Sequence, residues 1–193
     1  YQAADALTTG QKNVAMGYTA LSAGTGNSYN IAIGYEAMLV ANGSDDSVVI
    51  GYQAGKAIST GDHNIFVGSG AGTAVAEGHR NIAIGYSAME TNTDGSDNIV
   101  IGYEAAENAK GDGGETGFTQ NIIIGNLAFD GDTVDEAIEG CVIIGHGAMR
   151  GAATTAIDGT IAIGYNALLA LTSGAGNIAV GYQAADGITT GIR

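Results

Sequence analysis

The sequence predicts an all-β chain: a parallel β-solenoid (β-roll or β-helix) of about ten seventeen-residue coils. Three observations carry this. The unit Asn30-Ile31-Ala32-Ile33-Gly34-Tyr35-Glu36-Ala37 recurs ten times, with its glycine at Gly17, Gly34, Gly51, Gly68, Gly85, Gly102, Gly125, Gly145, Gly164 and Gly181. The first six glycines are spaced by 17 residues, and the later spacings are 23, 20, 19 and 17. Each unit carries a β-branched run ahead of its glycine and a polar Thr, Ser, Asp or Gly turn behind it. A fixed period of this length marks coils that stack and share one core.

Within the unit, the residues three before and one before the glycine are aliphatic in every copy, as in Ile31 and Ile33 or Ile99 and Ile101. Two residues apart, they share one face of a strand, and β-branched side chains suit a pleated surface. The expectation is that this pair fills the inside of each coil. The residue between them (Ala15, Ala32, Val49, Phe66 and their equivalents) is never polar. It is expected to face outward as a long apolar stripe, covered by partner chains in a homo-oligomer or by another part of the same chain.

Asn opens seven units, among them Asn30, Asn64 and Asn121, and stacked coils would place these amides in a ladder. The glycine closes the strand where a side chain would clash. Tyr follows it in seven units, Tyr35 among them, and Ser69, Asn126 and His146 stand in the other three. This column packs coil on coil; a sugar-stacking platform is the alternative. Three residues after the glycine comes Ala in all ten units, such as Ala37, where a narrow coil needs a small side chain. The next position (Leu21, Met38, Met89, Phe129, Met149, Leu168) is expected to begin a second short strand.

The 193 residues form a single array, 1–193, with insertions near 107–120, 130–140 and 150–159. Residues Tyr1-Gln2-Ala3-Ala4-Asp5 repeat Tyr182-Gln183-Ala184-Ala185-Asp186, so the chain is expected to be a segment of a longer fibre protein. Insertions in solenoids become loops on one face, often the working face. Asp112, Glu115, Phe118, Asp130, Asp132 and Asp135 are therefore the candidate receptor contacts. Their acids fit no twelve-residue calcium loop, so the reading is a solvated acidic face and no metal site is assigned.

Net charge is −14, from 20 acidic and 6 basic residues, which argues against nucleic acid and anionic lipid. No apolar run is long enough to span a membrane, and the single Cys141 excludes an intrachain disulfide. Gly68-Ser69-Gly70-Ala71-Gly72 lacks the helix and trailing acid of a dinucleotide loop. His63, His79 and His146 occupy different repeat positions, and no carboxylate pair stands out for glycoside chemistry. No catalytic residue and no cofactor is assigned, and no threonine column supports an ice-binding face.

The Asn-Ile-Ala-Ile-Gly-Tyr-x-Ala unit resembles two sets of fibre repeats. One is the parallel β-roll head of trimeric autotransporter adhesins. The nearer is the Gly-Tyr-x-Ala-Leu…Thr-Thr-Gly…Asn repeat of phage tail fibres and similar bacterial fibres, over nearly the whole chain. The resemblance implies a homotrimer, extracellular, on a virion fibre or a bacterial surface. Its implied role is attachment to a cell-surface glycan or receptor by multivalent non-catalytic contacts. The alternatives are a purely structural shaft and a tailspike-like polysaccharide-degrading enzyme.

Overall fold

The computed structural model describes residues 2–110, 117–131, 138–151 and 157–191. Ten short strands form one parallel sheet: β1 (Val14–Met16), β2 (Ile31–Ile33), β3 (Val48–Ile50), β4 (Ile65–Val67), β5 (Ile82–Ile84), β6 (Ile99–Ile101), β8 (Ile122–Ile124), β10 (Val142–Ile144), β11 (Ile161–Ile163) and β12 (Ile178–Val180). Two further strands, β7 (Phe118–Thr119) and β9 (Ile138–Glu139), pair with each other. The chain is a parallel β-solenoid of about nine turns, and no helix occurs among the described residues. At ~4.8 Å per coil the sheet is roughly 45 Å long.

The repeat sets the register. Val14 pairs with Ile31, Ile31 with Val48, and so on along the rod. The insertions leave it intact: Ile99 pairs with Ile122 and Ile122 with Val142, although 23 and 20 residues separate them. The register holds across them because the sheet tolerates no slip without turning side chains to the opposite face.

The strands lie the other way up from the sequence expectation. Their central residues point inward: Ala32, Val49, Phe66, Ala83, Val100, Ile123, Ile143 and Ala162 are fully buried. The flanking pairs face outward, with Val14, Met16, Ile65, Ile84, Ile178 and Val180 exposed and the rest half-buried. The reason is room. The interior also receives the invariant Ala column, the Leu/Met/Phe position after it and, in several coils, a residue three further on, such as Ile58, Val75 or Leu171. A three-residue strand supplies one side chain to so narrow a space and sends two out.

The expected second strand is absent as well. Leu21, Met38, Met89, Phe129, Met149 and Leu168 sit at left-handed corners, with φ of 49–58°. In the coil of Gly34 three non-glycine residues take this conformation: Tyr29 (φ 60°), Glu36 (φ 54°) and Met38 (φ 55°). Each such residue costs about 1–2 kcal/mol. Inter-coil hydrogen bonds offset that cost. The Glu36 amide donates back to the Tyr18 carbonyl at 2.9 Å, and the Met38 amide donates forward to the Ala54 carbonyl at 3.1 Å. The corner therefore pairs with both neighbours, and the backbone is satisfied where no strand exists.

The asparagine ladder forms along one edge of the core. Asn81 Oδ1 accepts from the Asn98 amide at 3.1 Å, and Asn81 Nδ2 donates to the Gly95 carbonyl at 2.7 Å. The same pair of bonds recurs at Asn30 and Asn64. Each amide group thus ties its own coil to the start of the next and closes the turn that precedes it.

Candidate functional site

Two surfaces of the rod are unlike an ordinary solvated face. The first is the outer face of the ten-stranded sheet. It carries twenty side chains in two columns, from Val14 and Met16 to Ile178 and Val180, all of them Ile, Val or Met. In a chain of net charge −14, none of these twenty is polar or charged.

The second surface is the aromatic column beside it. Tyr18 stacks on Tyr35, Tyr35 on Tyr52, Tyr86 on Tyr103, His146 on Tyr165 and Tyr165 on Tyr182, with ring centroids 5.2–5.4 Å apart. The coil spacing produces this: like residues stand one rung apart, and offset rings at that distance attract. About half of each of these tyrosines stays exposed, and more of Tyr182.

Charged groups flank the column. Glu36 accepts from Lys56 Nζ at 2.7 Å and from Gln53 Nε2 at 2.8 Å. The bond from Lys56 holds the Glu36 carboxyl below its ordinary range, and the bond to Glu36 raises Lys56. Hydrogen bonds to Glu36 and Glu104 raise the Tyr35 and Tyr103 hydroxyls in turn. Further along, Glu107 lies close to Glu104, Asp130 and Glu90. Desolvation, then these like charges, push its carboxyl up to about 7.

Of the six candidate receptor contacts, the described residues include Phe118 and Asp130. Asp112, Glu115, Asp132 and Asp135 lie outside the described residues. Phe118 is no surface residue. It is fully buried in the core and stacks on Phe129 at 6.3 Å. Asp130 is half-buried; its backbone carbonyl accepts from Asn108 Nδ2 at 3.1 Å and its carboxylate faces Arg150 Nε at 3.3 Å. Burial pushes its carboxyl up against the pull of Arg150. The repeat residues behave as a unit: Asn30 and Ala37 are buried, while Ile31, Ile33 and Tyr35 look outward.

The histidines play separate local parts. His79 Nδ1 accepts from the Asp62 amide at 3.0 Å, His146 is a rung of the aromatic column, and His63 lies exposed 3.9 Å from Asp46. No cluster of three or more His, Cys, Asp or Glu suited to a metal occurs among the described residues. Comparison of the chain with family models, with curated proteins and with solved structures returned no match.

Proposed function

We propose that the chain is a segment of a homotrimeric extracellular fibre, which attaches to a cell surface by repeated weak contacts. The uncovered aliphatic face of the sheet carries this reading. Twenty apolar side chains on one face approach the ~20–30 residues that each partner contributes to a standard protein interface. A like chain is the partner that fits. The face bears no charge, so copies of net charge −14 can meet there with their carboxylates turned toward solvent. Self-association also leaves the flanks of each rod to display the same groups several times over, which raises avidity without new contacts.

The test is absolute mass in solution by light scattering on a size-exclusion column. A mass of three chains supports the proposal. Two chains would keep the face as an interface and overturn the trimer. A single chain at high concentration would overturn self-association. Binding of the labelled assembly to intact bacteria, compared with its dissociated form, then tests attachment.

A further inference from the structure

The aromatic column has one gap with a tyrosine on each side. Ser69 stands between Tyr52 and Tyr86, so one ring is missing from an otherwise stacked run. Adjacent positions of the same coil are small too: Gly70 replaces the Glu36, Gln53 and Glu104 of other coils, and Thr73 replaces Lys56, Glu90 and Glu107. Together they open a cleft of about 270 Å³ across the column. Two rungs separate its aromatic walls, ~10 Å at the coil spacing, which leaves the room one ring occupies elsewhere in the stack.

The lining specifies more than shape. Thr73 Oγ1 donates to the Gly70 carbonyl at 2.7 Å, which leaves its lone pairs to accept. Glu90 Oε2 lies 3.6 Å from the point a Cβ on Gly70 would occupy, so that carboxylate reaches into the cleft. Glu104 and Glu107 line the same side. No Lys or Arg lines it, and nearby Lys56 is held by Glu36. The cleft therefore offers two aromatic faces, hydroxyl groups and three acidic side chains. A saturated ring with hydroxyl groups suits the first two features, and a positive charge suits the third.

We propose that this cleft binds an amino-sugar ring, seated between Tyr52 and Tyr86 with its ammonium group toward Glu90, Glu104 and Glu107. The inference names a ligand class for the attachment reading above and depends on that reading only for its biological setting. Burial first and neighbouring carboxylates second raise Glu107, and a cation in the cleft relieves the second of these.

The experiment is isothermal titration of the whole chain with a short glucosamine oligomer. Its N-acetylated counterpart, a glucose oligomer of equal length and a lysine-rich peptide serve as comparisons. The expected result is that the glucosamine oligomer binds at least ~10-fold more tightly than the other two sugars. Ser69→Tyr, which restores the commonest residue of the column, lowers that affinity at least ~10-fold while the circular dichroism and mass stay unchanged. Glu104→Gln with Glu107→Gln weakens the glucosamine oligomer more than the glucose oligomer. Equal binding of all three sugars, or undiminished binding by the Ser69→Tyr chain, would overturn the site. So would a lysine-rich peptide that binds parent and Ser69→Tyr chains alike, since the attraction would then be diffuse charge. Failure here leaves the mass and cell-binding measurements free to decide the fibre reading separately.

Discussion

A methyl group on Gly72 would sit 2.7–2.8 Å from three carbons of the Phe66 ring. The two residues share one volume of the core. Gly55 takes part as well, since its Cβ would lie 3.0 Å from the same ring. Four of the five coils with a central Ala carry a large residue six positions on, as with Ala32 and Met38 or Ala83 and Met89. Phe66→Ala should therefore cost about 3–5 kcal/mol by opening a cavity, and Gly72→Met alone should overpack. The double substitution Phe66→Ala with Gly72→Met mirrors the Ala83 and Met89 pair. It should recover more than half of the loss. Urea denaturation of the four chains measures the coupling, and strict additivity would contradict the shared-volume account.

Because the flanking strand residues look outward, Ile84→Lys should leave the coil folded. Ile84 is 37 % exposed at the outer face, so its replacement meets no core atom. The expected outcome is an unchanged circular dichroism spectrum and a mass reduced to one chain, since a buried interfacial ammonium without a partner is costly. A chain that unfolds instead would restore the opposite orientation of the strands.

How much of this was legible in the residues alone differs from element to element. The parallel register and the asparagine ladder follow from the period, because stacking places every residue over its equivalent, while the ten repeats expected as about ten coils give ten strands and about nine turns. The inward face did not follow. Ranking Ile above Ala as a core residue puts Ile31 and Ile33 inside, whereas the width of the coil admits Ala32. A signal was present nevertheless. Val49 with Gly55, Phe66 with Gly72 and Val100 with Ala106 compensate in size, although Ile123 with Phe129 and Ile143 with Met149 do not, and such compensation points to both positions facing one interior. The cleft at Ser69 was likewise visible as a missing tyrosine, but its acidic wall depends on which coils stand on either side. Phe118 was read as a loop residue because the insertion around it hides the point where the coil resumes.

The ladder of amides predicts both a loss and a gain. Asn81→Leu strands the Asn98 amide and the Gly95 carbonyl, each buried partner costing ~1–3 kcal/mol. Thr160 occupies the same repeat position, and its buried Oγ1 has no hydrogen-bond partner among the described residues. Thr160→Asn should raise stability by about 0.5–2 kcal/mol, the usual range when a suboptimal residue is replaced by a consensus one, here the residue most repeats carry. Thermal melts of the two variants should shift in opposite directions. A Thr160→Asn chain less stable than the parent would show that this coil no longer has the ladder geometry.

Glu107 sets a pH dependence with a definite sign. Its carboxyl titrates at about 7 in the fold against an ordinary 4.5. Between those values the unfolded chain loses the proton first, so the unfolded state is favoured as pH rises. The contribution is present in full below about pH 4.5 and is lost as pH approaches about 7. Burial raises Asp130 beside it in the same direction. Urea midpoints at about pH 5 and about pH 7.5 should fall less for Glu107→Gln than for the parent. Equal falls would place the pH dependence elsewhere.

The strand-closing glycines separate backbone strain from collision. Gly85 (φ 138°) and Gly181 (φ 137°) share a conformation open to glycine and hostile to other residues. A Cβ on Gly85 would fall on the Gly102 carbonyl oxygen of the next coil, whereas on Gly181 its nearest neighbour is the Ala184 Cβ at 3.8 Å. Gly181→Ala thus pays only conformational strain, about 1–3 kcal/mol. Gly85→Ala adds a clash with backbone that cannot rotate away, in the middle of the stack where both flanking coils depend on it. Denaturation of the Gly181→Ala chain should remain a single transition at a lower midpoint. The Gly85→Ala chain should lose cooperativity and unfold as two shorter stacks, because each coil is stabilised mainly by its neighbours. Matching losses at the two positions would mean that strain alone keeps the column glycine.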